Sequence, residues 1–557
     1  PEGIILRPMA RVTGWGPEPE LLEMAAWAAW RWAGRRRSLL ITSSAEVVVH
    51  HLPPTALAPL PTPSPALPPG ALGATSPRPP GARAGARPKT GAGRDLVGQA
   101  RSPGTHILRL PPSAGATEVV WAAAERGPVL VVAPTTSRAE AGCTALRSRG
   151  AHVALLPQDW AQARAGSQVV IGARAAAWGP CPGLTTVIVL DAHDEGYVQE
   201  QAPTWDAPTV AAERARRAGV PCLWVSACPT VEMLAAAAEV HLVSRAEERA
   251  GWAKLRVVDT RDQDPRSGLY SQPLVEVLRH EERRVVCVLN RKARAMLLDC
   301  SACRQVATCE KCEAAVTMVG EELATRPVVC RSCASDALRL RRPGVSRARE
   351  QLEALTGRPT GEFWAGSGPL PQQDVVVGTE AVLYREAELR RRGGVGAVAF
   401  LDFDQELLAT RYRAGEEALA LLARASRVLG GRDGQIVVQT RVPAHLVLTA
   451  ALMADPGLLA AAEQPVRQAL RLPPFGALAV LAGPGATEMA AGVEKLEAVA
   501  GPGPSLGGTE GLALEVTQLA DDRWVVRAGD PSQLADALGA VGRPAERVRV
   551  EVGPTRF

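Results

Sequence analysis

No stretch of this chain approaches the roughly twenty consecutive apolar residues that a membrane span needs, and no secretory signal is visible. Charge of one sign is lacking as well. Lys+Arg 63 against Asp+Glu 58 leaves a net charge of +5, too mild to mark a nucleic-acid binder by itself. Lysine is scarce beside arginine, and Ala, Gly and Pro are raised throughout, a bias of base composition from which no function follows. A paired disulfide framework is missing too. Cys143, Cys181, Cys222, Cys228 and Cys287 are scattered among apolar runs, as buried reduced thiols of a cytosolic protein would be. What remains is a globular chain with 46% hydrophobic residues and a mean hydropathy of −0.01. Its 557 residues suggest about three to five domains.

The six other cysteines are concentrated. Cys300-x2-Cys303, Cys309-x2-Cys312 and Cys330-x2-Cys333 lie within one short segment. A CxxC pair turns two thiolates toward one metal, and two pairs complete the tetrahedral shell that zinc favours. Six thiolates fill one such site and leave a pair over.

Along the chain, residues 18–37 carry a helical apolar pattern that includes Trp27, Trp30 and Trp32, a stripe read as core. Residues 47–52 form a short β-like run, and 53–104 are rich in Pro, Gly and Ala, as a linker is. Short apolar runs at 129–133, 153–156, 169–172, 187–191 and 222–226 alternate with amphipathic stretches, which predicts a parallel α/β sheet. A second such block starts at Leu255, is interrupted by the cysteines, and resumes at 375–378, 398–402 and 435–440. A metal module looped out of one sheet domain accounts for the interruption. A last α+β stretch follows from 442 to 557.

Several landmarks then fall in a fixed order. They are Gly115-Ala116-Thr117-Glu118-Val119, Val170-Ile171-Gly172-Ala173-Arg174, Leu190-Asp191-Ala192-His193-Asp194 and Ser226-Ala227-Cys228-Pro229-Thr230-Val231-Glu232. Asn290-Arg291, Gly378-Thr379-Glu380, Leu401-Asp402-Phe403-Asp404 with Tyr412-Arg413-Ala414, Gln439-Thr440 and Leu472-Pro473-Pro474-Phe475 follow. In this order, with the cysteines inserted after Asn290-Arg291, the chain resembles the PriA family, the primosomal replication-restart helicases of superfamily two. The resemblance implies two RecA-like lobes, a zinc module inserted in the second, and a C-terminal α+β domain. It divides the chain at 53–104 (linker), 105–250 (first lobe), 251–298 and 346–441 (second lobe), 299–345 (zinc module) and 442–557 (C-terminal domain). Residues 1–52 would then be a remnant of the family's N-terminal DNA-binding region, whose 3′-end-binding domain would be largely absent.

The departures from the family pattern are specific. A phosphate loop needs glycines whose amides surround the phosphates and a lysine on the β- and γ-phosphates. Here Ala116 stands at the lysine position, between Gly115 and Thr117, and Pro111-Pro112 removes two amide donors. Leu190 replaces the metal-binding Asp and Ala192 one Glu; a one-residue shift of register would put Asp191 at the metal position. His193 is a residual family position rather than a base, because its carboxylate partners are gone. The two arginine-finger positions become Ser426 and Leu429, although Arg424 and Arg427 lie nearby. These losses together put ATP binding in question and imply a pseudo-helicase with no catalytic residue.

The family's four CxxC pairs serve two zincs. Because the segment after Cys333 resembles that following the family's fourth pair, Cys300, Cys303, Cys330 and Cys333 would hold one tight zinc, with Cys309 and Cys312 in a weak or shared second site. The opposing assignment, from the resemblance of Val316-Thr317-Met318 to the lead-in of the third pair, is Cys309, Cys312, Cys330 and Cys333. Arg339, Arg341, Arg342 and Arg347, with Arg349, form a basic run that is either solvated surface or a phosphate contact. His50, His51 and His106 have no ligand-like neighbours in sequence.

The reading is therefore a monomeric, cytoplasmic replication-restart protein that binds branched or single-stranded DNA at stalled forks. By resemblance its partners are the single-stranded DNA-binding protein and the replicative helicase or its loader, with no membrane involved. Two other readings compete with it: an active ATP-dependent 3′–5′ DNA helicase with a divergent nucleotide site, and a zinc-dependent DNA- or partner-binding scaffold.

Overall fold

The protein is seen in a computed structural model that describes residues 13–57, 60, 92–261, 269–289, 296–300, 317–319, 322–323, 333, 335, 338–340, 345–409, 411–500 and 514–554. The chain divides into two compact units, 1–252 with 410–423 and 449–557, and 253–409 with 424–448.

The first unit is built on β1 (Gly104–Arg109), β2 (Val129–Val132), β3 (Val153–Leu155), β4 (Val169–Gly172), β5 (Thr186–Leu190), β6 (Pro221–Ser226) and β7 (Glu239–Leu242). They make one seven-stranded sheet in the order β3-β4-β2-β5-β6-β1-β7, with every pairing parallel. Each residue of β2, β4, β5 and β6 is buried. That explains why these strands read as unbroken Val/Ile-rich runs instead of alternating ones: helices cover both faces of a parallel sheet.

The second unit holds β8 (Lys254–Asp259) and β9 (Arg284–Val288) before the cysteine segment. Inside that segment lie β10 (Met296–Cys300), β11 (Thr317–Val319), β12 (Glu322–Leu323) and β13 (Leu338–Leu340), an antiparallel set in the order β12-β11-β10-β13. Then come β14 (Thr360–Phe363), β15 (Val375–Gly378), β16 (Val395–Phe400) and β17 (Gln435–Thr440). The six-stranded sheet β14-β15-β9-β16-β17-β8 is again wholly parallel. Gly378 closes β15 where no side chain fits, since a Cβ there would lie 2.0 Å from the Phe363 carbonyl oxygen.

The C-terminal stretch adds β18 (Ala477–Ala482), β19 (Glu515–Ala520), β20 (Arg523–Ala528) and β21 (Arg549–Val552), an antiparallel sheet in the order β19-β20-β18-β21. Its buried residues Ala479, Leu481, Val526 and Val550 join one cluster with Leu130, Val170 and Val189 of the first lobe. The N-terminal helix Pro19–Arg31 enters the same cluster. Pro19 suits a first-turn position, and Leu21, Met24, Ala25 and Ala28 give the apolar face its helical spacing. The tryptophan stripe is accordingly core at Trp32, while Trp30 lies half-exposed and donates from Nε1 to Asp536 Oδ1 at 2.8 Å.

Two local expectations are corrected. Residues 92–99, within the stretch read as linker, form a helix whose Leu96 and Val97 are buried with Val119 and Leu223. Residues 47–52 are not a strand. Val47 and Val48 are exposed, and β-branched residues without a pairing partner do not make a strand.

Candidate functional site

The loop between β1 and the helix Thr117–Ala124 is where the phosphate-binding turn is expected, and its backbone is largely committed elsewhere. The Leu110 amide donates to Ser226 O at 3.1 Å, Ser113 to Gly251 O at 3.3 Å, and Ala114 to Pro111 O at 2.9 Å. Pro111 and Pro112 have no N–H. The remaining loop amides are those of Gly115 and Ala116. The helix Arg245–Gly251 ends against this turn so closely that a Cβ on Gly251 would lie 2.3 Å from Pro111 Cβ. Its buried Glu248 accepts from Trp252 Nε1 at 3.0 Å and lies 3.4 Å from Arg109 Nε. Burial pushes the Glu248 carboxyl above its ordinary range. Ala116 has φ −78° and ψ −10° at the head of a helix whose residues from Val119 to Ala124 are buried. A triphosphate cradle asks for a lysine and a nest of amides, and the residues present do not fit it.

At the neighbouring strand ends, the carboxylate motif is kept as packing. Leu190 is buried at the close of β5, and Asp191 adopts φ +51° with Oδ2 3.9 Å from Arg138 Nε. Aspartate is among the few residues that tolerate that conformation. His193 Nδ1 lies 2.8 Å from Ser226 Oγ, which also accepts the Cys228 amide at 3.2 Å. Asp194 accepts from Gly196 N at 2.8 Å. The Tyr197 hydroxyl donates to the carbonyls of Val132 and Leu190, and burial raises its pKa well above the ordinary value. The motif therefore ties β5 to β2 and β6.

A second cluster escaped sequence reasoning, although two of the quoted landmarks converge on it. Glu232, on the helix Val231–Ala236, accepts from Arg413 Nη2 at 2.8 Å and lies 3.3 Å from Arg467 Nη1. Arg467 Nη2 also meets Glu416 at 2.6 Å and Glu463 at 2.7 Å. Glu416 in turn accepts the Val231 amide at 2.7 Å. Arg413 and Arg467 each stand 5.2 Å from the Tyr412 ring centroid. Burial, reinforced by the Glu232 carboxylate, pushes Glu416 up to about 7. The one signal available was the i, i+4 spacing of Glu463 and Arg467 on the helix Gly457–Ala469.

In the second unit the remaining landmarks also hold strands together. Gln439 accepts the Ser271 amide at 2.9 Å and donates to Leu401 O at 3.0 Å, while Asp404 accepts from Arg441 N at 3.0 Å. Ser426 and Leu429 are buried, and the Arg424 guanidinium lies 3.8 Å from the Tyr384 ring centroid. Of the basic run, Arg349 is paired with Glu362 at 2.9 Å and Glu353 at 2.7 Å, so its charge is already matched. Arg339 sits on β13 opposite Asp299, and Arg347 is on the helix Val345–Thr356. Arg341, Arg342, Asn290 and Arg291 lie outside the described residues. So do Cys303, Cys309, Cys312 and Cys330; Cys300 closes β10 opposite Leu338, and Cys333 is exposed. His106, read as lacking ligand-like neighbours, is corrected: β1 and β7 place it beside His241 and Glu239.

Two wholly parallel sheets carry the quoted landmarks at their strand ends, an α/β architecture of two RecA-like lobes. Among known proteins the chain is similar to the replication restart protein PriA. It is 28% identical over 348 residues to that of Haemophilus influenzae, covering 57% of this chain and 47% of the relative. For Synechocystis sp. the identity is 27% over 374 residues, covering 58% and 44%. For Bacillus subtilis it is 25% over 351 residues, covering 56% and 43%. The chain thus spans about half the length of the curated relatives it matches. No family model matches it. Solved structures resembling it include a DEAD box protein of Methanococcus jannaschii, at TM-score 0.31 and 11% identity over 66% of this chain and 87% of that one. Another is the E. coli DExH-box NTPase HrpB, at TM-score 0.37 and 15% identity over 68% and 44%.

Proposed function

We propose that the chain is a replication-restart protein of the PriA kind that binds branched DNA at stalled forks and helps reload the replicative helicase without ATP-driven unwinding. The similarity to PriA supports the restart role. The observation that carries the loss of the motor is the loop after β1, where Ala116 stands at the lysine position and the Ser113 amide is spent on Gly251. Its partners are branched or single-stranded DNA, the single-stranded DNA-binding protein, and the replicative helicase or its loader. It acts as a monomer in the cytoplasm. Arg339, Arg341, Arg342 and Arg347 contact phosphates in this reading; Arg349 is set aside from the run because two carboxylates already match its charge.

Binding to forked DNA is expected to be tighter than to linear duplex at matched salt. Neutralising four phosphates would make affinity fall about a hundredfold between 50 and 200 mM salt. Equal affinity for the two substrates, measured by fluorescence anisotropy, would overturn the fork-restart role and leave a generic DNA-binding module.

The cysteine segment is proposed to hold one tight zinc through Cys300, Cys303, Cys330 and Cys333. The pairing of Cys300 with Leu338 across β10 and β13 supports this set, since it sets Cys300 beside the strand that follows Cys333 in the chain. Zinc released by an organomercurial is expected at about one tight ion per chain, and Cys300→Ser should abolish it, because structural zinc supplies folding free energy directly. Loss of that zinc in Cys309→Ser but not in Cys300→Ser would reverse the assignment.

A further inference from the structure

β7 is the outermost strand of the first sheet and pairs with β1 alone. It is poorly anchored: Glu239, Val240 and Leu242 are exposed, and its one buried side chain is His241. Facing it on β1 is His106, which is fully buried. The parallel register sets His106 opposite Glu239 and Leu108 opposite His241, so residues 239 and 241, two apart, share the face of the sheet on which His106 lies.

Three ligand atoms meet there. His106 Nδ1 and His241 Nε2 are 3.3 Å apart, His241 Nε2 is 3.4 Å from Glu239 Oε2, and His106 Nδ1 is 3.9 Å from the same oxygen. The tautomer of His106 is fixed from behind. Its Nε2 lies 2.9 Å from the Ser102 carbonyl oxygen, which can only accept, so Nε2 carries the proton and Nδ1 presents its lone pair to the cluster. A backbone carbonyl holding the far nitrogen is the support that metal-bound imidazoles usually have. Metal–nitrogen bonds of about 2.0–2.1 Å at tetrahedral angles put neighbouring ligand atoms about 3.3–3.4 Å apart. Two of the three edges already have that length, and the long one involves the exposed, adjustable Glu239.

We propose that His106, His241 and Glu239 bind a divalent transition metal of the zinc class, which clips the edge strand β7 to β1. Two imidazoles and one carboxylate select borderline first-row ions over magnesium or calcium, which prefer all-oxygen shells. Glu239 lies at the solvent edge, so water completes the shell. The site uses no thiolate and takes no ligand from the cysteine segment. A hydrogen bond from His241 Nε2–H to His106 Nδ1 is the competing account of the shortest contact, and it needs neither a metal nor Glu239.

The test uses the 557-residue chain and two variants, Glu239→Gln at the exposed position and His241→Asn in the pair. Metal-stripped proteins are titrated with cobalt(II), whose spectrum separates thiolate ligation, with sulfur charge-transfer absorption, from nitrogen and oxygen ligation without it. The unmodified chain is expected to take up one equivalent lacking the sulfur band, and Glu239→Gln to weaken that equivalent by about tenfold or more. His241→Asn should abolish it while the sulfur-bound cobalt persists. In the unmodified chain alone, zinc should slow hydrogen exchange at the β7 amides. Identical non-thiolate cobalt uptake in the unmodified chain and both variants, or none in any, would overturn the site in favour of a hydrogen-bonded histidine pair.

Discussion

Arg467→Met is expected to lower the unfolding free energy of the first unit by about 3–5 kcal/mol, the scale found when one partner of a buried ion pair is removed. Arg467 is 2% exposed and is the guanidinium shared by Glu416 and Glu463, with Glu232 also 3.3 Å from it. Methionine fills similar volume, so little of the loss should come from a cavity. What remains is uncompensated carboxylate charge, since Arg413 reaches Glu232 but no contact joins it to Glu463. The loss should depend on pH with a definite sign. Burial, then Glu232, raises the folded-state pKa of Glu416 above its ordinary 4.5 to about 7, even with Arg467 pulling it down. A carboxyl raised in this way favours the folded state below its unfolded pKa and loses that contribution as pH rises through the folded one. Removing Arg467 raises it further, so the deficit is largest above pH 7 and shrinks as pH falls toward 4.5, where the Glu416 carboxyl is protonated in both folded proteins. Urea unfolding of both proteins at several pH values checks this. A deficit under about 1 kcal/mol, or one indifferent to pH, would mean that the cluster contributes as packing alone.

The central strands were legible because burial on both faces leaves a local trace. β2, β4 and β5 are short Val/Ile runs that belong in no exposed element. β7 left no such trace, since Glu-Val-His-Leu buries a single histidine. The helix Ala92–Gln99 was hidden by composition: only Gly93, Leu96 and Val97 are buried, in a stretch otherwise dominated by Pro, Gly and Ala. The opposite error at 47–52 came from β propensity, which reports fit to a sheet surface and cannot supply the sheet. The candidate site divides in the same manner. That Ala116, Leu190 and Ser426 stand at altered positions follows from motif order alone. That Gly251 closes on Pro111, that Arg467 reaches Glu232 and that His106 meets His241 across 135 positions are tertiary facts. No local pattern encodes them.

Phosphate release from saturating ATP with Mg²⁺ and forked DNA is expected to stay at background, and Ala116→Lys is expected to leave it there. One lysine restores a single charge to a loop in which most other donors are missing or committed. Pro111 and Pro112 contribute no amide, Ser113 donates to Gly251, and Ala114 donates back to Pro111. Freeing the Ser113 amide would require moving the end of the helix Arg245–Gly251, which Glu248 secures through Trp252 and Arg109. The metal position fails independently. Leu190 offers no oxygen, and Asp191, the nearest carboxylate, already lies 3.9 Å from Arg138. The arginine positions fail separately again, since Ser426 and Leu429 are buried and Arg424 lies over Tyr384. An arginine finger alone is worth about 10³–10⁵ in rate, and preorganised donors around the phosphates contribute comparably. Because each defect removes a different stabilising group, repairing any one of them leaves the barrier high. A clear DNA-stimulated rate from the unmodified protein would reverse this argument: Asp191 would then be a metal ligand, the turn after β1 would have to open on binding nucleotide, and the chain would be a working helicase.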